Sequence, residues 1–109
     1  MEMSKEAEEK ISQLQLLEQN MQAFLMQKQQ LQMQLSEIES ALGELKDTKK
    51  VYKIVANIMV ESKKEDLDND LKKKKEMIDL RIKNFEKQEE KIREKIQKIQ
   101  KEVLGIMKE

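Results

Sequence analysis

Two stretches of heptad-spaced apolar residues flank a short β-branched run, and each stretch is the mirror image of the other. In the first, the apolar positions step by three and four: Leu14, Leu17, Met21, Phe24, Leu31, Leu35, Ile38, Leu42 and Leu45. In the second they step by seven through Leu71, Ile78, Phe85, Ile92, Ile99 and Ile106, with Ile82, Ile96 and Val103 at the half-steps. Such spacing specifies helices that pack side by side. The run between them, VYKIVANIMV, is too short and too β-branched to continue either heptad.

A fold point between Ala56 and Asn57 makes the numbers of facing residues add to 113. The two seams then meet in layers: Leu14 with Ile99, Leu17 with Ile96, Met21 with Ile92, Leu31 with Ile82, Leu35 with Ile78 and Leu42 with Leu71. Seams and turn are independent features of the sequence, yet one register reconciles them. The expected fold is mainly α, a long antiparallel two-helix coiled-coil hairpin with a central β-hairpin.

Composition agrees with this and narrows function. The chain of 109 residues is 40% charged and 3% aromatic, and has no Pro, Cys or His. That mix favours long solvated helices over a thick core, and the length suits a single domain over 1–109. Twenty-two basic residues balance 22 acidic ones, so bulk attraction to nucleic acid or to a membrane is not expected. A chain without cysteine forms no disulfide framework and suits a reducing cytoplasm. Without His or Cys it also lacks the commonest transition-metal ligands and the commonest general base. No apolar run is long enough to span a bilayer, and MEMSKEAEEK has no signal-peptide character. No cofactor, metal site or catalytic constellation is expected, and the chain does not read as an enzyme.

Helix one is expected from about Ser4 to Lys46 or Asp47. Ser4 is a suitable N-cap, followed by Glu6, Glu8 and Glu9 at the positive end of the helix dipole. Its many glutamines lie mostly off the seam and read as a polar face. Helix two is expected over 63–107, with Ser62-Lys63-Lys64-Glu65 as a capping box. Arms of about 44 residues each would be about 65 Å long.

The central run, 51–60, reads as a β-hairpin turning at Ala56-Asn57. Side chains alternate along a strand, so Val51, Val55, Ile58 and Val60 share one face and Tyr52, Ile54 and Met59 the other. Both faces are apolar, and an isolated two-stranded ribbon is marginal in water. Such a ribbon should add to strands of other chains, which makes these seven residues candidates for subunit assembly.

Charged residues interrupt the seams at Lys28, Lys75 and Glu89. The register sets Lys28 about one turn from Glu89, which leaves two readings open: a register-fixing ion pair, or both side chains reaching out to water. At the free ends, Val103 falls opposite Lys10 and Ile106 opposite Ala7, with Ile11, Leu104 and Met107 beside the seam. The end of helix two thus carries more apolar surface than helix one covers, a feature suited to varied apolar partners. The lysine run 72–75 is flanked by Asp66, Asp68, Asp70, Glu76 and Asp79 and reads as a solvated face. Glu65, Asp68 and Asp70 lie in helical sequence, unlike the looped backbone of an EF-hand.

The chain resembles an archaeal prefoldin beta subunit over nearly its whole length. VYKIVANIMV followed by a capped helix carries the resemblance, together with DLRIKNFEKQEEKI (Asp79 to Ile92), which includes Leu80-Arg81 and Lys87-Gln88-Glu89. Family members usually have glycine where Ala56 stands; Asn57, which tolerates the left-handed region, is placed to take over in the turn.

The resemblance implies a hexamer of two alpha and four beta subunits, with hairpins joined in an intersubunit β-barrel platform. It implies capture of unfolded polypeptides at the coiled-coil tips without ATP, and delivery to a group II chaperonin. Carried onto this sequence, the tips are Ile11, Leu14, Ile99, Val103, Leu104, Ile106 and Met107. The platform contacts are Val51, Tyr52, Ile54, Val55, Ile58, Met59 and Val60. The alternative is a structural coiled-coil spacer without client binding; a nucleic-acid arm using Lys72–Lys75 ranks below it.

Overall fold

A computed structural model describes residues 4–108, in the order α1 (Lys5–Leu45), β1 (Val51–Val55), β2 (Ile58–Ser62) and α2 (Lys64–Lys108). The expected single domain also includes residues 1–3 and 109, which lie outside the described residues. The chain forms two compact units, one of Met1–Gln29 with Lys83–Glu109 and one of Gln30–Ile82.

Helix α1 begins where Ser4 caps it. The Ser4 hydroxyl accepts a hydrogen bond from the Ala7 amide at 3.2 Å, and the Ser4 carbonyl accepts from the Glu8 amide at 3.0 Å. Two donors that α1 itself would otherwise leave unsatisfied are thereby paired. The helix stops two residues short of 47. There the Thr48 hydroxyl donates to the Glu44 carbonyl at 2.8 Å, and the Lys64 ammonium donates to the Lys46 carbonyl at 3.0 Å.

Helix α2 departs from the expected start. Ser62 is not the N-cap: it is the last residue of β2, paired with Val51, and its hydroxyl donates to the Lys63 carbonyl at 3.5 Å. Lys63 takes the capping position, its carbonyl accepting from the Leu67 amide at 3.1 Å. The capping box does not form because the helix begins one residue later than it requires, and the Ser62 hydroxyl turns to the Lys63 carbonyl and accepts from no amide of the first turn. Glu65 and Asp66 still place negative charge in the first turn.

In the unit Gln30–Ile82 the strands pair antiparallel as Val51 with Ser62, Tyr52 with Glu61, Lys53 with Val60, Ile54 with Met59 and Val55 with Ile58. Every pair adds to 113, the register expected from the heptads. Ala56 and Asn57 both have positive φ, 48° and 66°, the signature of a type I′ turn, whose twist matches the strands it joins. Leu31, Leu45, Val51, Ile78 and Ile82 are buried, and Lys75 lies 3.6 Å from Glu39.

In the other unit Ala7, Val103 and Glu89 are buried, while Leu14, Leu17, Met21, Ile92, Ile96 and Ile99 are half-buried. Partial burial is the natural state of a two-helix seam, which has no third layer to close over it. The rings of Phe24 and Phe85 meet at 5.7 Å between centroids and 54° between planes, within the range of favourable tilted aromatic pairs.

Candidate functional site

Two separate surfaces are candidates, and each is built from residues that the local fold prevents from burying themselves. The first is the ribbon. Alternation along β1 and β2 puts Val51, Val55, Ile58 and Val60 on one face and Tyr52, Ile54 and Met59 on the other. Val51, at the base, is buried; the other six are exposed, Ile54 at 72%. A connector covered by its own helices would bury one face. Here both faces stay open, and among the described residues the sheet has two strands, so the outer edge of each carries unpaired backbone groups.

The second surface is the free end of α2. Leu104 and Met107 are exposed, at 58% and 64%. Ile11, Leu14, Ile99 and Ile106 are half-buried, and Val103 is 8% exposed. The tip therefore has an outer apolar pair and an inner set engaged in the seam. Lys10 crosses it, its ammonium hydrogen-bonded to Glu102 Oε2 at 2.5 Å. That bond holds the Glu102 carboxyl below its ordinary range and raises the Lys10 ammonium above its own.

Of the two readings of the seam charges, the ion pair is the one that forms. Lys28 Nζ donates to Glu89 Oε2 at 3.4 Å and lies 3.9 Å from Glu86 Oε1. The lysine run is partly neutralised, Lys72 by Asp68 at 2.8 Å and Lys75 by Glu39. Among the described residues no group of three acidic side chains converges to hold a metal ion, and no helix is long and apolar enough to cross a membrane.

Sequence reasoning missed a set of exposed apolar side chains along the helices: Leu16, Leu25, Met26 and Met33 on α1, Met77 and Leu80 on α2. All lie off the a and d positions. The signal was available, since an apolar residue outside the seam of a two-helix arm has nothing in its own chain to pack on.

Comparison with known proteins follows the same geometry. Residues 8–109 match the family described as prefoldin subunit. The chain is 41% identical over 100 residues to prefoldin subunit beta of Archaeoglobus fulgidus, covering 89% of this chain and 86% of that protein. It is 36% identical over 102 residues to prefoldin subunit beta of Methanothrix thermoacetophila, covering 91% and 85%. The crystal structure of the prefoldin beta subunit from Thermococcus strain KS-1 superposes with a TM-score of 0.90 at 28% identity, covering 95% of this chain and 94% of that one.

Proposed function

This chain belongs to the prefoldin subunit family, whose general role is that of a chaperone and not of an enzyme, and on that premise we propose that it is the beta-type subunit of an ATP-independent holdase. It assembles through its hairpin with alpha-type and other beta-type subunits, as two alpha and four beta, in the cytoplasm. It captures unfolded polypeptides at the arm tips and passes them to a group II chaperonin.

The observation that carries the reading is the exposure of two apolar surfaces, one in each unit: a ribbon bare on both faces, and a tip bearing exposed Leu104 and Met107. The ribbon needs partner strands to bury it, so it is the assembly element. The tip is small and adaptable, so single contacts there are weak, and several tips acting on one client gain affinity through avidity. Leu104 and Met107 make first contact. Ile11, Leu14, Ile99 and Ile106 add area, and Val103 joins them only when the helix ends part.

Removal of residues 1–9 and 100–109 tests this reading. Assembly should survive, while suppression of aggregation of a chemically denatured client should fall. Undiminished suppression would favour the spacer instead.

A further inference from the structure

The tip's apolar residues are closed under a small charge network. In the register of the arm, α1 offers Lys10 opposite Val103 and Ala7 opposite Ile106. Ala7 is 1% exposed and Val103 8%, while Ile106 is half-buried, so the inner side of this end is shut. The charged group joining the two helices here is the Lys10–Glu102 pair. Its members are flanked at i,i+4 spacing by charges of opposite sign, Glu6 on α1 and Lys98 on α2, each of which reinforces the shift on its neighbour. The Lys10–Glu102 pair thus bridges the seam one residue from buried Val103, with Glu6 and Lys98 flanking it on their own helices.

Helix ends open locally at small free energy. A layer made of one alanine, one valine and the edge of Ile106 has little apolar area to resist opening. A solvated ion pair is a weak restraint by itself, and salt weakens it further. The two are therefore matched in size, which is the condition for the ion pair to govern opening.

We propose that Lys10 and Glu102 form a salt-sensitive clasp that sets how often the helix ends part and uncover Val103 and Ile106; its use in client capture rests on the tip reading above. Closed, the tip presents Leu104 and Met107 and part of Ile11, Leu14, Ile99 and Ile106. Open, it offers a larger apolar surface and withholds it from other tips until a client is near enough to compete.

The absence of cysteine permits a direct test. Ala7→Cys places one thiol at the most enclosed position of the tip, and its rate of modification by a maleimide reports opening. The assembled protein carries Ala7→Cys alone, with Lys10→Met, with Glu102→Gln, or with both. Each single charge substitution should speed labelling roughly two- to five-fold, and the double no more than either single. Raising salt to about 1 M, where the screening length is about 3 Å, should speed the parent and leave the double unchanged. Additive or absent effects would overturn the clasp. Amide exchange at Val103–Met107 in the cysteine-free chain repeats the comparison should the thiol disturb the first turn. Binding of reduced, carboxymethylated lactalbumin is measured on the same proteins. Faster opening with greater binding supports both readings; faster opening with unchanged binding upholds the clasp and overturns its use in client capture, leaving capture to the already exposed Leu104 and Met107.

Discussion

Lys28 reaches across the seam to Glu89, Nζ to Oε2 at 3.4 Å, and Glu89 is only 5% exposed. Its other oxygen, Oε1, is enclosed without a protein donor among the described residues. A buried carboxylate held by one lengthened hydrogen bond is poorly compensated. The pair is thus a source of selectivity, not of stability: in this register Glu89 has a cation within reach, and a heptad slip would set it against Leu31 or Leu17.

Lys28→Met should therefore destabilise the fold by about 2–4 kcal/mol, because Glu89 stays buried without its cation. Lys28→Met with Glu89→Leu should recover the loss and reach or exceed the parent, since an apolar layer replaces a strained polar one. Urea unfolding of the three proteins checks this; a double variant as weak as the single would show that the pair is itself stabilising.

The turn holds a second testable strain. Ala56 has φ of 48°, and a residue with a Cβ loses about 1–2 kcal/mol in that region. Glycine removes the penalty but adds freedom to the unfolded chain, worth about 0.4–1 kcal/mol. Ala56→Gly should gain about 0.5–1 kcal/mol on balance, read as a higher urea midpoint. Ala56→Val should lose stability, as β-branching tolerates positive φ least.

How far the sequence disclosed this molecule depends on which physical signal each part carries. Heptads and hairpin share a register because both follow from side-chain period, and the nearness of Lys28 to Glu89 follows from that register alone. The place of the turn was legible but its type was not: a two-residue loop admits types I′ and II′, and Ala56, which has a Cβ, gives no sign that it too takes positive φ. The start of α2 was misread by one residue: Ser62 suits a cap, but the helix begins at Lys64 and the Ser62 hydroxyl turns to the Lys63 carbonyl, which no local motif encodes. At the tip, periodicity located the apolar residues but gave no measure of depth. Val103 and Leu104 look alike in sequence, yet one is enclosed and the other exposed because the helix turns by about 100° between them.

Ile54→Lys separates folding from assembly. Ile54 is exposed within its own chain, so a lysine there leaves the subunit's helix content unchanged. In a platform of paired hairpins the same lysine is buried without a partner, at a cost of several kcal/mol. Native mass should fall to that of smaller species while circular dichroism stays constant. Met33→Lys, equally an exposed apolar residue but on α1, should leave the mass unchanged. A full-size Ile54→Lys assembly would remove the ribbon's second face from the interface.

The tip pair gives a pH dependence with a definite sign. The hydrogen bond from Lys10, aided by the charges of Lys10 and Lys98 and opposed by desolvation, holds Glu102 below its ordinary value of 4.5. Its contribution is therefore fully present above the ordinary carboxylate range and is lost as pH falls through the lowered value. The hydrogen bond to Glu102, with the charges of Glu102 and Glu6, raises Lys10 above 10.5. That contribution is fully present below 10.5 and is lost as pH rises through the raised value. Between these limits the clasp is intact. Tip opening in the parent should be constant from about pH 6 to 9 and should rise on the acid side toward the level of Glu102→Gln. In Glu102→Gln, which has no carboxyl to protonate there, the acid rise should be absent. The carbon-13 shift of the Glu102 carboxyl titrates the same group directly. A midpoint at or above 4.5 would mean that Lys10 does not hold it.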